Sequence, residues 1–149
     1  MANTVTSEPI PTDNLRSSFS RADIEFHGVD HAGASYEGRV FLNLPEADEQ
    51  TPRTVPQYAG AFHIFGHGGC LGDAGHCDVS TRRVFDPRPA HPLTRTLKVV
   101  IATEAIRRAI AAAAPVVVTV VPVISSTTPH VGRPEDLLQY DGIRIVTYG

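Results

Sequence analysis

The chain has 149 residues, 42% of them hydrophobic and 19% charged, with a formal net charge of -3. That length suits one domain with a sizeable core, and the composition excludes a disordered chain. No basic stripe runs through the sequence, since Arg82-Arg83 and Arg107-Arg108 are isolated pairs, so there is no electrostatic reason to expect a nucleic-acid partner.

Residues 1 to 20 carry Pro9, Pro11 and several Ser and Thr without periodicity. They read as a flexible N-terminal arm, or a strap laid on a partner. The start has neither a basic cluster nor an apolar core of a signal peptide. The longest apolar run, around Ile110 to Val118, is interrupted by Pro115 and is too short for a bilayer. The expectation is a cytoplasmic chain with no membrane partner.

Residues 21 to 149 read as one β-domain. In Ala22 to His27, Ile24 and Phe26 share a face, with Asp23, Glu25 and His27 opposite. Gly28 to Gly33 turn the chain. From Tyr36 to Leu44, Tyr36, Val40, Leu42 and Leu44 again alternate with polar residues. Tyr58 to Phe65 is a third strand, with Phe62 and Ile64 on one face and His63 on the other. Prolines at 87, 89 and 92 forbid a central strand there. Thr96 to Ala102 is a fourth strand, with Leu97, Val99 and Ile101 aligned.

Thr103 to Ala114 is the convincing helix. Thr103 is placed to cap it, Glu104 favours its positive end, and Pro115 stops it. Arg107 and Arg108 are expected on its solvated face. Val116 to Val123 is a near-continuous β-branched run, which predicts a strand buried on both faces. Tyr140-Asp141-Gly142 signals a turn, and Ile143 to Tyr148 closes the domain. Short strands, one short helix and many prolines predict an all-β fold: an antiparallel, jelly-roll-like β-sandwich. Such a sandwich leaves sheet edges unpaired, so a homo-oligomer is expected.

Reactive groups concentrate after the third strand. His63, His67, Cys70, His76 and Cys77 lie within a glycine-rich stretch that holds both cysteines. Imidazole and thiolate suit copper or zinc. The spacing matches no zinc-finger pattern, and the alternative is a satisfied turn. Cys70 and Cys77 are far enough apart in sequence for a closed loop, but a reducing compartment disfavours a disulfide. His27 and His31 flank a turn and are additional candidate ligands, with Asp30 able to orient one of them. No nucleophile elbow, phosphate loop or dinucleotide fingerprint is present, so no catalytic residue is assigned.

Several segments, taken in order, resemble the C-terminal β-domain of tyrosinases and polyphenol oxidases. They are Tyr36-Glu37-Gly38-Arg39-Val40-Phe41-Leu42-Asn43, Tyr58-Ala59-Gly60-Ala61-Phe62, the histidine-bearing loop, Leu97-Lys98-Val99-Val100-Ile101, the short helix, Val118-Thr119-Val120-Val121-Pro122 and Gly142-Ile143-Arg144-Ile145. The resemblance spans about residues 22 to 148. It implies a β-sandwich that packs over a dicopper site, shields it, or assists its folding and copper loading. The catalytic helix bundle that aims six histidines at two coppers has no counterpart here. The resemblance therefore implies an accessory protein whose partner is a separate tyrosinase-like catalytic chain. Phe65 and Leu71 are the candidates to fill that partner's substrate cavity. The alternatives are a stand-alone copper- or zinc-binding sandwich and, more weakly, a small metal-dependent enzyme.

Overall fold

The computed structural model describes residues 3–15, 18–66, 84–87, 94–125 and 137–149. Its elements are β1 (Val5–Thr6), β2 (Arg21–Val29), β3 (Tyr36–Leu42), β4 (Tyr58–Ile64), β5 (Thr96–Ile101), α1 (Thr103–Ala111), β6 (Val118–Val123) and β7 (Gly142–Tyr148). Among the described residues, no helix is long and apolar enough to cross a membrane.

The strands form two antiparallel sheets, one in the order β1-β6-β3-β4 and one in the order β5-β2-β7. Alternation along each strand decides what lies between them. Ile24 and Phe26 of β2, Val100 of β5, Tyr36, Val40 and Leu42 of β3, Phe62 and Ile64 of β4, and Val118 and Val120 of β6 share one buried cluster. Phe26 meets Phe62 across the sandwich with ring centroids 4.9 Å apart. The chain is thus an all-β sandwich with one short helix, the expected class.

Two strands are buried on both faces. β6 is one, in accord with its β-branched run. β3 is the other: Phe41 points away from the main core into a second cluster with Ala47 and Val121, and Tyr58 packs on it. The stretch from Leu44 to Tyr58 is folded across that outer face. Buried polar Asp23 lies on the outer face of β2 and is only 2% exposed. The Arg21 guanidinium covers it with two 2.7 Å hydrogen bonds.

The helix departs from expectation at its start. Ala102, not Thr103, holds the N-cap position, and no side chain caps the helix. The Thr103 hydroxyl accepts a hydrogen bond from the Ala22 amide at 3.1 Å, so it ties the helix to β2. Ala105, Ile106 and Ala109 are its buried face. Arg107 donates to the Phe19 carbonyl and stacks on the Phe19 ring, and Arg108 donates to the Pro56 carbonyl. These arginines act as tethers as well as solvated charges.

The N-terminal stretch also differs from a free arm. Val5 pairs with Val120 and Thr6 with Thr119, and Ile10 bridges Val116. The chain's own β6 had open ladder groups on that side, and the arm fills them.

Candidate functional site

His63 lies on the outer face of the larger sheet because its neighbours Phe62 and Ile64 take the core face. The ladder sets it directly opposite Glu37 of β3, which in turn faces Val123 of β6. The Glu37 carboxylate is held by two guanidiniums. Arg39 Nε donates at 3.2 Å and Arg53 Nη2 at 2.8 Å to Oε2, and Arg53 also reaches Oε1 at 2.7 Å. His63 Nε2 stands 3.9 Å from Oε1, beyond hydrogen-bond length. The imidazole is 76% exposed.

A cleft of about 360 Å³ opens beside this pair, lined by Ser35, Tyr36, Glu37, His63, Ile64, Phe65, Val123 and Ser125. Its lining is mostly apolar, with the imidazole and carboxylate at one side. Phe65 follows β4 directly and is 90% exposed. The backbone just after it is fixed: the Gly66 amide donates to Ser35 Oγ at 3.0 Å. A Cβ on Gly66 would lie 2.2 Å from the Gly33 carbonyl oxygen, so only glycine fits this crossing. The exposed ring therefore projects from a backbone tied to the Ser35 turn on its C-terminal side.

The other candidate residues are dispersed. His27 lies on the outer face of the smaller sheet, where its Nε2 is 2.8 Å from Glu25 Oε2. β2 and β4 belong to different sheets, so His27 and His63 occupy opposite outer faces. His31 Nε2 contacts the Thr94 carbonyl at 2.7 Å. His67, Cys70, Leu71, His76 and Cys77 lie outside the described residues. Among the described residues, no three His, Cys, Asp or Glu side chains converge to hold a metal ion.

Two groupings escape a reading of the sequence. The first is the Arg39–Glu37–Arg53 cluster behind His63. Its members come from β3 and the following loop, and only the cross-strand register brings His63 to them. The second is a clasp at one end of the sandwich. Arg95 Nη1 donates to Asp141 Oδ1 at 2.7 Å and to the Gly28 carbonyl at 3.4 Å, with Asp30 at 3.9 Å. Gly28 has φ +66°, and a Cβ there would sit 1.9 Å from Asp141 Oδ2. The clasp ties the turn after β2 to the starts of β5 and β7. The Tyr140-Asp141-Gly142 turn signal and Gly28 were visible in the sequence; their meeting was not.

Comparisons of the chain with protein-family models, with curated proteins and with solved structures found no match.

Proposed function

We propose that this chain is an accessory protein of a tyrosinase-like type-3 copper enzyme, which it shields or helps to load with copper. The observation that carries the reading is Phe65. It is 90% exposed, with the backbone after it tied to Ser35 through the Gly66 amide, beside an apolar cleft. An aromatic side chain already held out in water gives up no contacts of its own when a partner's cavity takes it up, so its apolar burial counts in full. The β-sandwich architecture and the ordered segments resembling the tyrosinase C-terminal domain support the same reading. Leu71 is the second candidate for the same role.

The test is affinity capture from the native host with copper analysis of what is retained. The expected result is a partner chain with two coppers and the optical signature of a type-3 pair. Phe65→Ala should weaken its capture by about tenfold or more, the scale of an aromatic anchor. Recovery of no copper-containing partner counts against the proposal.

A second reading rests on His63. Glu37, fixed by two arginines, stands 3.9 Å from the exposed His63 ring, and a small rotation of the imidazole would bring a ring N–H into the carboxylate contact that orients a histidine ligand. In this reading the chain binds copper or zinc itself, with His63 joined by donors among His67, Cys70, His76 and Cys77. Protein purified without added metal should then carry stoichiometric metal. Unchanged metal content after combined replacement of His63, His67, Cys70 and Cys77 would sink it.

A further inference from the structure

Asp141-Gly142 is the one place in the sequence where Asp or Asn precedes Gly. Glycine matters there for a steric reason. A backbone nitrogen can attack the side-chain carboxyl before it only along a clear approach, and glycine carries no Cβ to obstruct it. The space around Gly142 is open as well: an added Cβ would meet nothing within 4 Å. The Asp141 side chain is 66% exposed, so water reaches the carboxyl. The pair also sits at the last step of the β2–β7 ladder, where Gly142 lies opposite His27. Ladder ends open locally at little cost.

The clasp restrains this pair. Arg95 Nη1 donates to Asp141 Oδ1 at 2.7 Å. The other carboxylate oxygen lies over Gly28, where a Cβ would stand 1.9 Å from Oδ2. The Asp141 amide is bonded to the His27 carbonyl at 2.8 Å. Cyclisation turns the carboxyl to the Gly142 nitrogen and takes one of its oxygens away as water. The grip of Arg95 on that group must therefore be released first.

We propose that Asp141 is a site of spontaneous isomerisation to isoaspartate in the folded chain, and that the Arg95 clasp sets its rate. The Gly142 nitrogen bonds to Asp141 Cγ and loses its proton. A Cγ–O bond breaks, water leaves, and a cyclic imide is formed. Water then adds to either carbonyl of the ring. Addition at Cγ restores aspartate. Addition at the main-chain carbonyl leaves the backbone running through Cβ and Cγ, with the free carboxylate on Cα. No oxidant or cofactor takes part, and the mass is unchanged. The product lengthens the backbone by a methylene and moves the carboxylate away from Arg95. Tyr140, packed edge-on against Phe26 with centroids 5.8 Å apart, is then joined to β7 through a longer link. The change loosens the end of the sandwich that the clasp closes. This inference is independent of the copper-enzyme partner.

The test holds the full chain in neutral buffer below its unfolding temperature. Peptide mapping with electron-based fragmentation, which separates linkages of equal mass, reads isoaspartate at position 141. Wild-type protein should accumulate it slowly. Arg95→Met removes a charge-assisted bond and should speed accumulation about tenfold. Gly142→Ala restores a Cβ to the attacking residue and should suppress most of it. Gly38→Ala, in the other sheet, should leave the rate at the wild-type value. If Arg95→Met does not fold, salt decides. The ion pair is 43% and 66% exposed, so about 1 M salt screens it and should speed the wild-type reaction. Absence of isoaspartate at 141 over a period in which the urea-unfolded chain converts overturns the proposal. So does a wild-type rate in folded Arg95→Met, or in high salt where that variant fails to fold. Equal acceleration by Gly38→Ala would make the reaction a property of the unfolded chain and also overturn it.

Discussion

Tyr36 and Glu37 are neighbours in β3 with opposite surroundings. Glu37 faces outward and is held by Arg39 and Arg53. Tyr36 faces the core, 4% exposed, and its hydroxyl has no hydrogen-bond partner among the described residues. Burial, with the Asp30 carboxylate adding to it, pushes the phenol well above its usual 10.0. Two consequences follow from linkage. Below the unfolded value both states are protonated and stability does not depend on this group. As pH rises past 10.0, the unfolded chain releases its proton while the folded chain keeps it, so stability falls with pH until the folded group also ionises. Tyr36→Phe removes both the orphaned hydroxyl and this titration. It should stabilise the fold by about 1 kcal/mol near neutrality and flatten the alkaline loss. Tyr140, also raised by burial, leaves a residual slope. Urea unfolding at about pH 8 and about pH 11 measures both effects. A destabilised variant with the wild-type alkaline slope would refute this account.

At the scale of the element, β3 shows how tightly neighbouring strands of one sheet are fitted. Gly38 lies between Tyr36 and Val40 on the core side, and the Phe62 ring occupies the space over it. A Cβ on Gly38 would stand 2.6 Å from that ring, whereas one on Gly142 meets nothing within 4 Å. Gly38→Ala should therefore cost about 1–3 kcal/mol by overpacking, and Gly142→Ala less than about 0.5 kcal/mol. Because the clash is with one ring, Gly38→Ala should cost less in a Phe62→Leu background. A double-mutant cycle by chemical denaturation reads that coupling; additive effects would contradict it. The strands themselves were legible from residue alternation alone, at Ile24 and Phe26, Phe62 and Ile64, and in the β-branched run of β6. Alternation says which residues share a face but not which face is buried. Leu97, Val99 and Ile101 have the pattern of a core face, yet it is Thr96, Lys98 and Val100 that turn inward from β5, Val100 being buried. The contact of Val100 with Gly60 and the tie from Ala102 to Ala22 decide the side, and both are long-range. For the same reason the sequence places His63 on an outward face but cannot pair it with Glu37.

At the scale of the whole molecule, the N-terminal stretch closes a sheet that the strands from β3 onward leave open. It adds three backbone bonds, one to the start of β6 and two to Val116 just before it. The Ser7 amide donates to the Val118 carbonyl at 2.8 Å, the Ile10 amide to Val116 at 2.8 Å, and the Val116 amide back to Ile10 at 2.9 Å. The Val118 amide is taken by Ser7 Oγ at 3.0 Å. Val5 and Ile10 pack against the main core. Pro9 and Pro11 flank Ile10, so its neighbours offer no amides and the strap cannot recruit a further strand. Removing residues 1–11 leaves the carbonyls and amides of Val116 and Val118 to water and uncovers part of the core. At about 0.5–1.5 kcal/mol per hydrogen bond, with the lost apolar burial added, the truncated chain should be about 2–5 kcal/mol less stable. Hydrogen exchange locates the effect. Under native conditions the amides of Val116 and Val118 should exchange faster, while Ile24 and Val100, in the other sheet, should slow or quicken only with global stability. The newly opened β6 edge is β-branched and apolar, so the truncated chain should also aggregate at concentrations the full chain tolerates. Unchanged exchange at Val116 and Val118 would show that the strap adds nothing to the sheet. Equal acceleration in both sheets beyond the global change would show instead that it braces the sandwich as a unit.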